Sequence, residues 1–224
     1  MSGEVTHNAR RVDSGVARRD DRGMVHAASY PRMELTVGDI TQLRVEAIVN
    51  AADTTLLGGG GVDGAIHQAA GPRLLAHNRT LGGCPTGEAR ITPAFDLEAR
   101  GVKHIIHTVG PIWGTDPRAD GSEKLGYRLE DNQLGQCYQA CLDLAAAHGV
   151  RTLAFPGIST GVYGFPKPRA AQIAVGHVRA FLGRSALPET VVFCCFTEAH
   201  AELYRRVLTP KDYSQSIQIG VKPR

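Results

Sequence analysis

The chain has 224 residues, enough for one domain of ordinary to large size and too few for two full ones unless one is small. Its 42% hydrophobic and 21% charged residues exclude a disordered or fibrous protein. A formal net charge of only +3 argues against nucleic-acid binding driven by phosphate neutralisation. No apolar run reaches the roughly 18 residues of a membrane-spanning helix. Arg10-Arg11 and Arg18-Arg19 are not followed by an apolar stretch, so no secretory or twin-arginine signal is expected. The five cysteines lack zinc-ligand spacing and read as reduced, buried thiols in a cytoplasmic protein.

Residues 1 to about 30 are rich in Arg, Asp, Ser, Gly and His without an apolar period, and read as a mobile tail. A domain follows over 31–208. Strands are predicted at Met33–Val37 and Val45–Asn50, then two short helices, Val62–Ala70 and Pro72–Leu81, broken at Gly71-Pro72. Further strands are predicted at Ala89–Thr92 and Lys103–Val109. The strongest helical signal covers Lys124–His148: Leu134, Cys137, Tyr138, Cys141, Leu142 and Ala145 form one stripe, and Gly149 marks the stop. A strand at Thr152–Phe155 precedes a helix over Pro168–Leu182, with Ile173, Ala174, Val178, Phe181 and Leu182 inward. A strand at Val191–Phe196 and a helix at Glu198–Leu208 close the domain, and residues 209–224 read as a second tail. Strands alternating with helices imply a layered α/β domain with helices on both faces of one sheet. Ligands of such sheets bind beyond the carboxyl ends of the strands, which singles out the loops after Asn50 and after Phe155.

The first loop carries Gly58-Gly59-Gly60-Gly61 and runs into a helix. Such a run costs chain entropy and adds nothing to a core. It suits either close approach of backbone to a phosphate or ribose, aided by the free amides of a helix start, or a plain flexible turn. Gly59-x-Gly61-x-x-Gly64 matches the dinucleotide fingerprint literally, but the strand ends too early and no ribose-binding acid follows. Gly64-Ala65-Ile66 stands where a triphosphate-binding loop needs Gly-Lys-Ser/Thr. The second loop, 156–166, places Gly157, Gly161 and Gly164 around Ser159 and Thr160, a pattern that lets consecutive amides point into one concavity. His104 and His107 fall on opposite faces of a strand, so they cannot easily share a metal and read as structural. His67, one turn after Asp63, either faces the site or packs. Asp63 either caps its helix or acts on water.

Six segments, in order, resemble the macrodomain family and its MacroD-type branch. They are Gly38-Asp39-Ile40-Thr41; the Val-Asn50-Ala-Ala run; the Gly-rich stretch through Val62-Asp63-Gly64-Ala65-Ile66-His67; Cys84-Pro85-Thr86-Gly87-Glu88-Ala89; His107-Thr108-Val109-Gly110-Pro111; and residues 157–166. The resemblance covers about residues 33–208. It implies a three-layer α/β/α fold with a central mixed sheet of six or more strands. It also implies a cleft for ADP-ribose and hydrolysis of ester-linked ADP-ribose. Substrates would be ADP-ribosylated Asp or Glu side chains or O-acetyl-ADP-ribose, with nucleic acid relevant only as ADP-ribosylated ends. No metal, cofactor or membrane is implied, and a monomer is the default. By position, Asp39 and Ile40 would take the adenine and Phe196 would stack on it; the plain alternative for Phe196 is core. Ser159, Thr160, Gly161, Val162 and Tyr163 would hold the diphosphate, closed over by Gly60, Gly61 and Val62. Asn50 would bond the distal ribose, Phe165 would pack on it, and Asp63 would activate water. The chain departs from the family at Asp53, where Asn is usual. An ionised carboxylate cannot donate a hydrogen bond, so turnover is expected to suffer more than binding. A reader module that binds ADP-ribose without turnover is the alternative function.

Overall fold

Among the described residues, seven strands form one mixed sheet in the order β1-β2-β7-β6-β3-β5-β4. They are β1 (Val25–His26), β2 (Met33–Val37), β3 (Ala47–Ala52), β4 (Ala89–Pro93), β5 (His104–Val109), β6 (Thr152–Phe155) and β7 (Thr190–Cys195). The helices are α1 (Gly61–Ala70), α2 (Pro72–Leu81), α3 (Leu129–Ala147), α4 (Lys167–Leu182) and α5 (Glu198–Leu208). The computed structural model describes residues 25–26, 32–115 and 128–208. The five central strands run parallel, and β1 and β4 are antiparallel edges.

The sheet extends into the segment read as a tail, because Val25 and His26 pair with Leu35 and Glu34. The rest of 1–30, the tail at 209–224 and the first residues of the helix predicted from Lys124 lie outside the described residues. Strand boundaries moved by one or two residues in β3, β4, β5 and β7, and in two cases the neighbouring strand shows why. The strand predicted at 45–50 is Ala47–Ala52, because it pairs residue for residue with His104–Val109. The strand predicted to reach Phe196 stops at Cys195, the last residue opposite β2.

Alternation along the strands divides the core in two. Ala47, Val49, Ile106, Leu153, Phe155, Val191 and Phe193 face α3, α4 and α5. Ile48, Ile105, Ala154, Val192 and Cys194 face α1 and α2. The result is a three-layer α/β/α fold. The α3 stripe from Leu134 to Ala145 is fully buried, as its period predicts. Each large side chain in it contributes about 1.5–3 kcal/mol. Gly149 follows α3 at φ 68°, where a left-handed backbone ends the helix without a Cβ clash. On α4 the buried arc centres on Ala171, Ala174, Val175 and Val178, and Ile173 and Leu182 sit at its margin. The arc is wide because α4 lies between α3 and α5. No helix among the described residues is long and apolar enough to cross a membrane. All five thiols are free and buried.

Candidate active site

The loops at the carboxyl ends of β3 and β6 lie on the same sheet edge, since these strands are parallel neighbours. The first opens with a side-chain-stapled turn. Asp53 Oδ1 accepts from the amide of Thr55 at 2.7 Å, its hydroxyl at 2.6 Å and the amide of Leu56 at 3.1 Å. Leu56 is fully buried at φ 61°, a left-handed conformation that costs a non-glycine residue about 1–2 kcal/mol. Asn78 from α2 holds it there by donating to its carbonyl at 2.8 Å. The glycines then lead into α1. Gly61 takes φ 59°, and the N-cap Gly60 makes no side-chain bond to the first amides. Those amides keep their partial positive charge for an anion. Gly64 matters for packing: a Cβ there would lie 2.6 Å from the carbonyl oxygen of Gly59.

The second loop is tied by its own backbone. The amide of Phe165 donates to Ser159 O at 2.9 Å and that of Gly164 to Gly161 O at 3.0 Å, while the Thr160 hydroxyl donates to Gly157 O at 2.9 Å. Trp113, beyond β5, donates its amide to Tyr163 O at 2.9 Å and fixes the far side. Ser159 is buried at φ 62°, and its hydroxyl has no partner among the described residues. A left-handed serine stores backbone strain of about 1–3 kcal/mol in this loop. Gly110 lies against Ser159 and Gly157 against His200, so neither leaves room for a Cβ. Gly161 and Val162 face solvent, Val162 almost completely. Burial, and with it the charges of Asp53 and Asp63, raises the Tyr163 pKa.

Asp63 is buried in the first turn of α1, with 4% of its surface exposed. It does not cap the helix. Its Oδ1 accepts from Asn50 Nδ2 at 2.6 Å and lies 3.5 Å from Nε2 of His67, so His67 faces the site rather than merely packing. Burial pushes the Asp63 pKa up and the charge of Asp53 adds to this, against the opposing pull of the Asn50 bond and of His67. Asn50 is fully buried: its amide nitrogen also meets His107 Nδ1 at 3.0 Å, and its Oδ1 has no partner among the described residues. His107 and Thr92 complete this cluster, and sequence reading missed both in this role. The available signal was strand register, which sets Asn50 beside His107 on neighbouring parallel strands.

The remaining residues spread along the same edge. Asp39 caps a short 3-10 helix, Ile40–Gln42, where Oδ1 accepts from the Thr41 amide at 2.9 Å and hydroxyl at 2.8 Å. Burial raises its pKa, but the bonds from Thr41 and Gln42 outweigh that and the net shift is downward. Ile40 is buried. Phe196 follows β7 and is 82% exposed, so the core alternative fails and an aromatic face is left open to solvent. Phe165 is buried edge-on against Trp113, with ring centroids 4.8 Å apart. His104 packs edge-on against His148 and lies apart from His107, as opposite strand faces require.

Fold and site together define a layered α/β protein with two glycine-bearing loops and a buried acid at one sheet edge. A family model described as Macro domain matches residues 49–174. An O-acetyl-ADP-ribose deacetylase of Enterobacter sp. is 52% identical over 197 residues, covering 86% of this chain and 98% of its own length. A Macro domain-containing protein of Methanosarcina mazei is 49% identical over 191 residues, covering 85% and 95%. Among solved structures, the Oceanobacillus iheyensis macrodomain with ADP matches with a TM-score of 0.69 at 40% identity, covering 79% of this chain and 89% of that one. The Trypanosoma brucei macrodomain in complex with ADP-ribose matches with a TM-score of 0.68 at 40% identity, covering 79% and 68%. The chain belongs to the macrodomain family.

Proposed function

We propose that this chain binds ADP-ribose along the sheet edge and hydrolyses esters of its distal ribose. O-acetyl-ADP-ribose is one substrate, and proteins carrying ester-linked ADP-ribose on Asp or Glu are the second. The observation that carries the reading is the Asp63 carboxylate, buried between the Gly-rich loop and Asn50 at a helix start that no side chain caps. The relatives named O-acetyl-ADP-ribose deacetylase at about 50% identity support the first substrate. For the second, the support is chemical: both are carboxylate esters of the same sugar.

The diphosphate sits against the amides of Gly60, Gly61 and Val62 and those of residues 159–163, where backbone dipoles replace a lysine. The idle Ser159 hydroxyl donates to it. Asp39 and the Ile40 amide take the adenine edge, and the exposed ring of Phe196 covers its face. Asn50 Oδ1, without a partner among the described residues, accepts from a ribose hydroxyl, and Phe165 backs the sugar. Asp63 takes a proton from water as the water oxygen bonds to the acyl carbon. The tetrahedral intermediate then breaks its bond to the ribose oxygen, which leaves with that proton. The products are ADP-ribose and a carboxylic acid. Asp53 adds negative charge beside this acid and favours the reader alternative, binding without turnover.

Incubation with O-acetyl-ADP-ribose, and with a protein carrying Glu-linked mono-ADP-ribose, tests the reading by release of free ADP-ribose. The Asp63→Ala variant is expected to lose roughly 10²–10⁴-fold in rate, the range for a general base, while calorimetry still shows ADP-ribose binding. Tight binding with no wild-type turnover on either substrate establishes the reader.

A further inference from the structure

We propose that His107 is a positioning residue for this hydrolysis: it holds the Asn50 amide so that nitrogen, not oxygen, meets the Asp63 carboxylate. The inference rests on Asp63 being the base and concerns what aims it. Asn50 Nδ2 carries two hydrogens. One goes to Asp63 Oδ1 at 2.6 Å and the other points at His107 Nδ1 at 3.0 Å. The second bond exists only if Nδ1 is bare. The far side of the ring sets that condition. Thr92 Oγ1 has one hydrogen and two carbonyl acceptors for it, Pro93 O at 3.0 Å and Ile105 O at 3.5 Å. At 3.2 Å from His107 Nε2 it can then only accept, so the proton of the neutral ring belongs on Nε2. A turned amide would set Asn50 Oδ1 against both a carboxylate oxygen and a ring lone pair, exchanging two bonds for two repulsions. Burial, with the charges of His67 and His77, lowers the His107 pKa to about 3, so the ring stays neutral.

Sheet register builds this relay. Asn50 and His107 are partners across β3 and β5, on the face they share with Ile48 and Ile105 toward α1. Antiparallel pairing sets Thr92 opposite Ile105, beside His107 on that same face. Thus a main-chain carbonyl at the sheet edge decides, through three side chains, which atom faces the acid. The other titratable groups around Asp63 are His67 on α1, Asp53 in the preceding loop and Tyr163 in the second loop.

Two substitutions separate orientation from packing. His107→Asn keeps an acceptor near the Nδ1 position, whereas His107→Gln carries its whole amide one methylene further out, toward the Nε2 position. We expect His107→Gln to lower kcat for O-acetyl-ADP-ribose by up to about 10²-fold, the cost of a small misplacement of reacting groups, with KM nearly unchanged. His107→Asn should recover most of that loss. Thr92→Val, which nearly preserves shape, should give a smaller loss of the same kind and serves if the ring variants fold poorly. Nitrogen-15 shifts of wild-type His107 should show a bare Nδ1 and a protonated Nε2. A protonated Nδ1 at neutral pH overturns the proposal, and so does equal kcat in the Asn and Gln variants. If the wild type hydrolyses nothing, the functional reading falls, and carbon-13 titration of the Asp63 carboxyl decides this one. A shift in His107→Gln but not in His107→Asn supports the relay, and no difference overturns it.

Discussion

Burial disfavours the ionised form of Asp63, and Asp53 deepens the effect, while Asn50 and His67 oppose it. The consequence for activity has a definite sign. A raised pKa means that the base is lost by protonation at a higher pH than an exposed carboxylate would be, so the acid limb of the rate profile moves up. Asp53→Asn removes one of the two raising influences. Its Oδ1 accepts the three bonds of the Thr55–Leu56 turn, and an amide oxygen, with two lone pairs, can keep the two shorter ones from Thr55. The turn should therefore survive, the acid limb of kcat should move down, and kcat should rise; equal profiles for wild type and variant would remove Asp53 from the chemistry. Stability carries the opposite sign. A folded-state pKa above the unfolded value stabilises the fold below the unfolded pKa, and that contribution is lost as pH rises through the folded one. Asp63→Asn keeps an acceptor for Asn50 and drops the buried charge, so it should melt higher than wild type at neutral pH and less so in acid. Each kcal/mol corresponds to roughly 2–4 °C in a domain of this size.

At the level of elements, the Gly-rich loop is defined by contact as much as by flexibility. A Cβ on Gly64 would press into the Gly59 carbonyl, whereas one on Gly60 would meet nothing within 4 Å. Gly64→Ala is therefore expected to cost about 1–3 kcal/mol, as overpacking does, and to weaken ADP-ribose binding by displacing the loop. Gly60→Ala, at φ −98°, should leave thermal stability nearly unchanged. Melting curves of the two variants, with calorimetry for Gly64→Ala, test the pair. The same contact explains why the third glycine of the dinucleotide-like pattern stands where it does without a dinucleotide fold. It seats a loop on the first turn of α1. The second loop depends on Trp113 in a similar way, since its amide fixes the Tyr163 carbonyl from a segment 50 residues away in sequence.

For the whole molecule, histidine burial sets the response to acid. His107 is lowered to about 3, and His104, His177 and His200 are lowered as well, each mainly by burial. A depressed folded-state pKa contributes stability above the unfolded value of 6.5, and that stability is lost as pH falls toward the folded one. Urea midpoints should therefore drop from about pH 6.5 downward, before most carboxylates titrate. His107 alone can supply up to about 1.4 kcal/mol per pH unit in that window. His107→Asn should flatten the curve there; an unchanged slope would mean that the ring is charged in the folded state.

Much of this architecture was legible in the residues because it follows from local periodicity. The α3 stripe, the β-branched strand runs and the two glycine loops each announce themselves within about 20 residues, and the loop motifs together pointed to the macrodomain family. What the chain alone could not decide came from pairing between distant segments. Strand ends at Ala52 and Cys195 are set by the neighbouring ladder, and Phe196 is exposed because that ladder ends one residue before it. The roles of Asn50, Asp63 and His107 depend on register across β3 and β5 and on the face α1 covers. Side-chain chemistry is written locally, but the direction of a hydrogen bond is settled by which groups folding brings within 3 Å of one another.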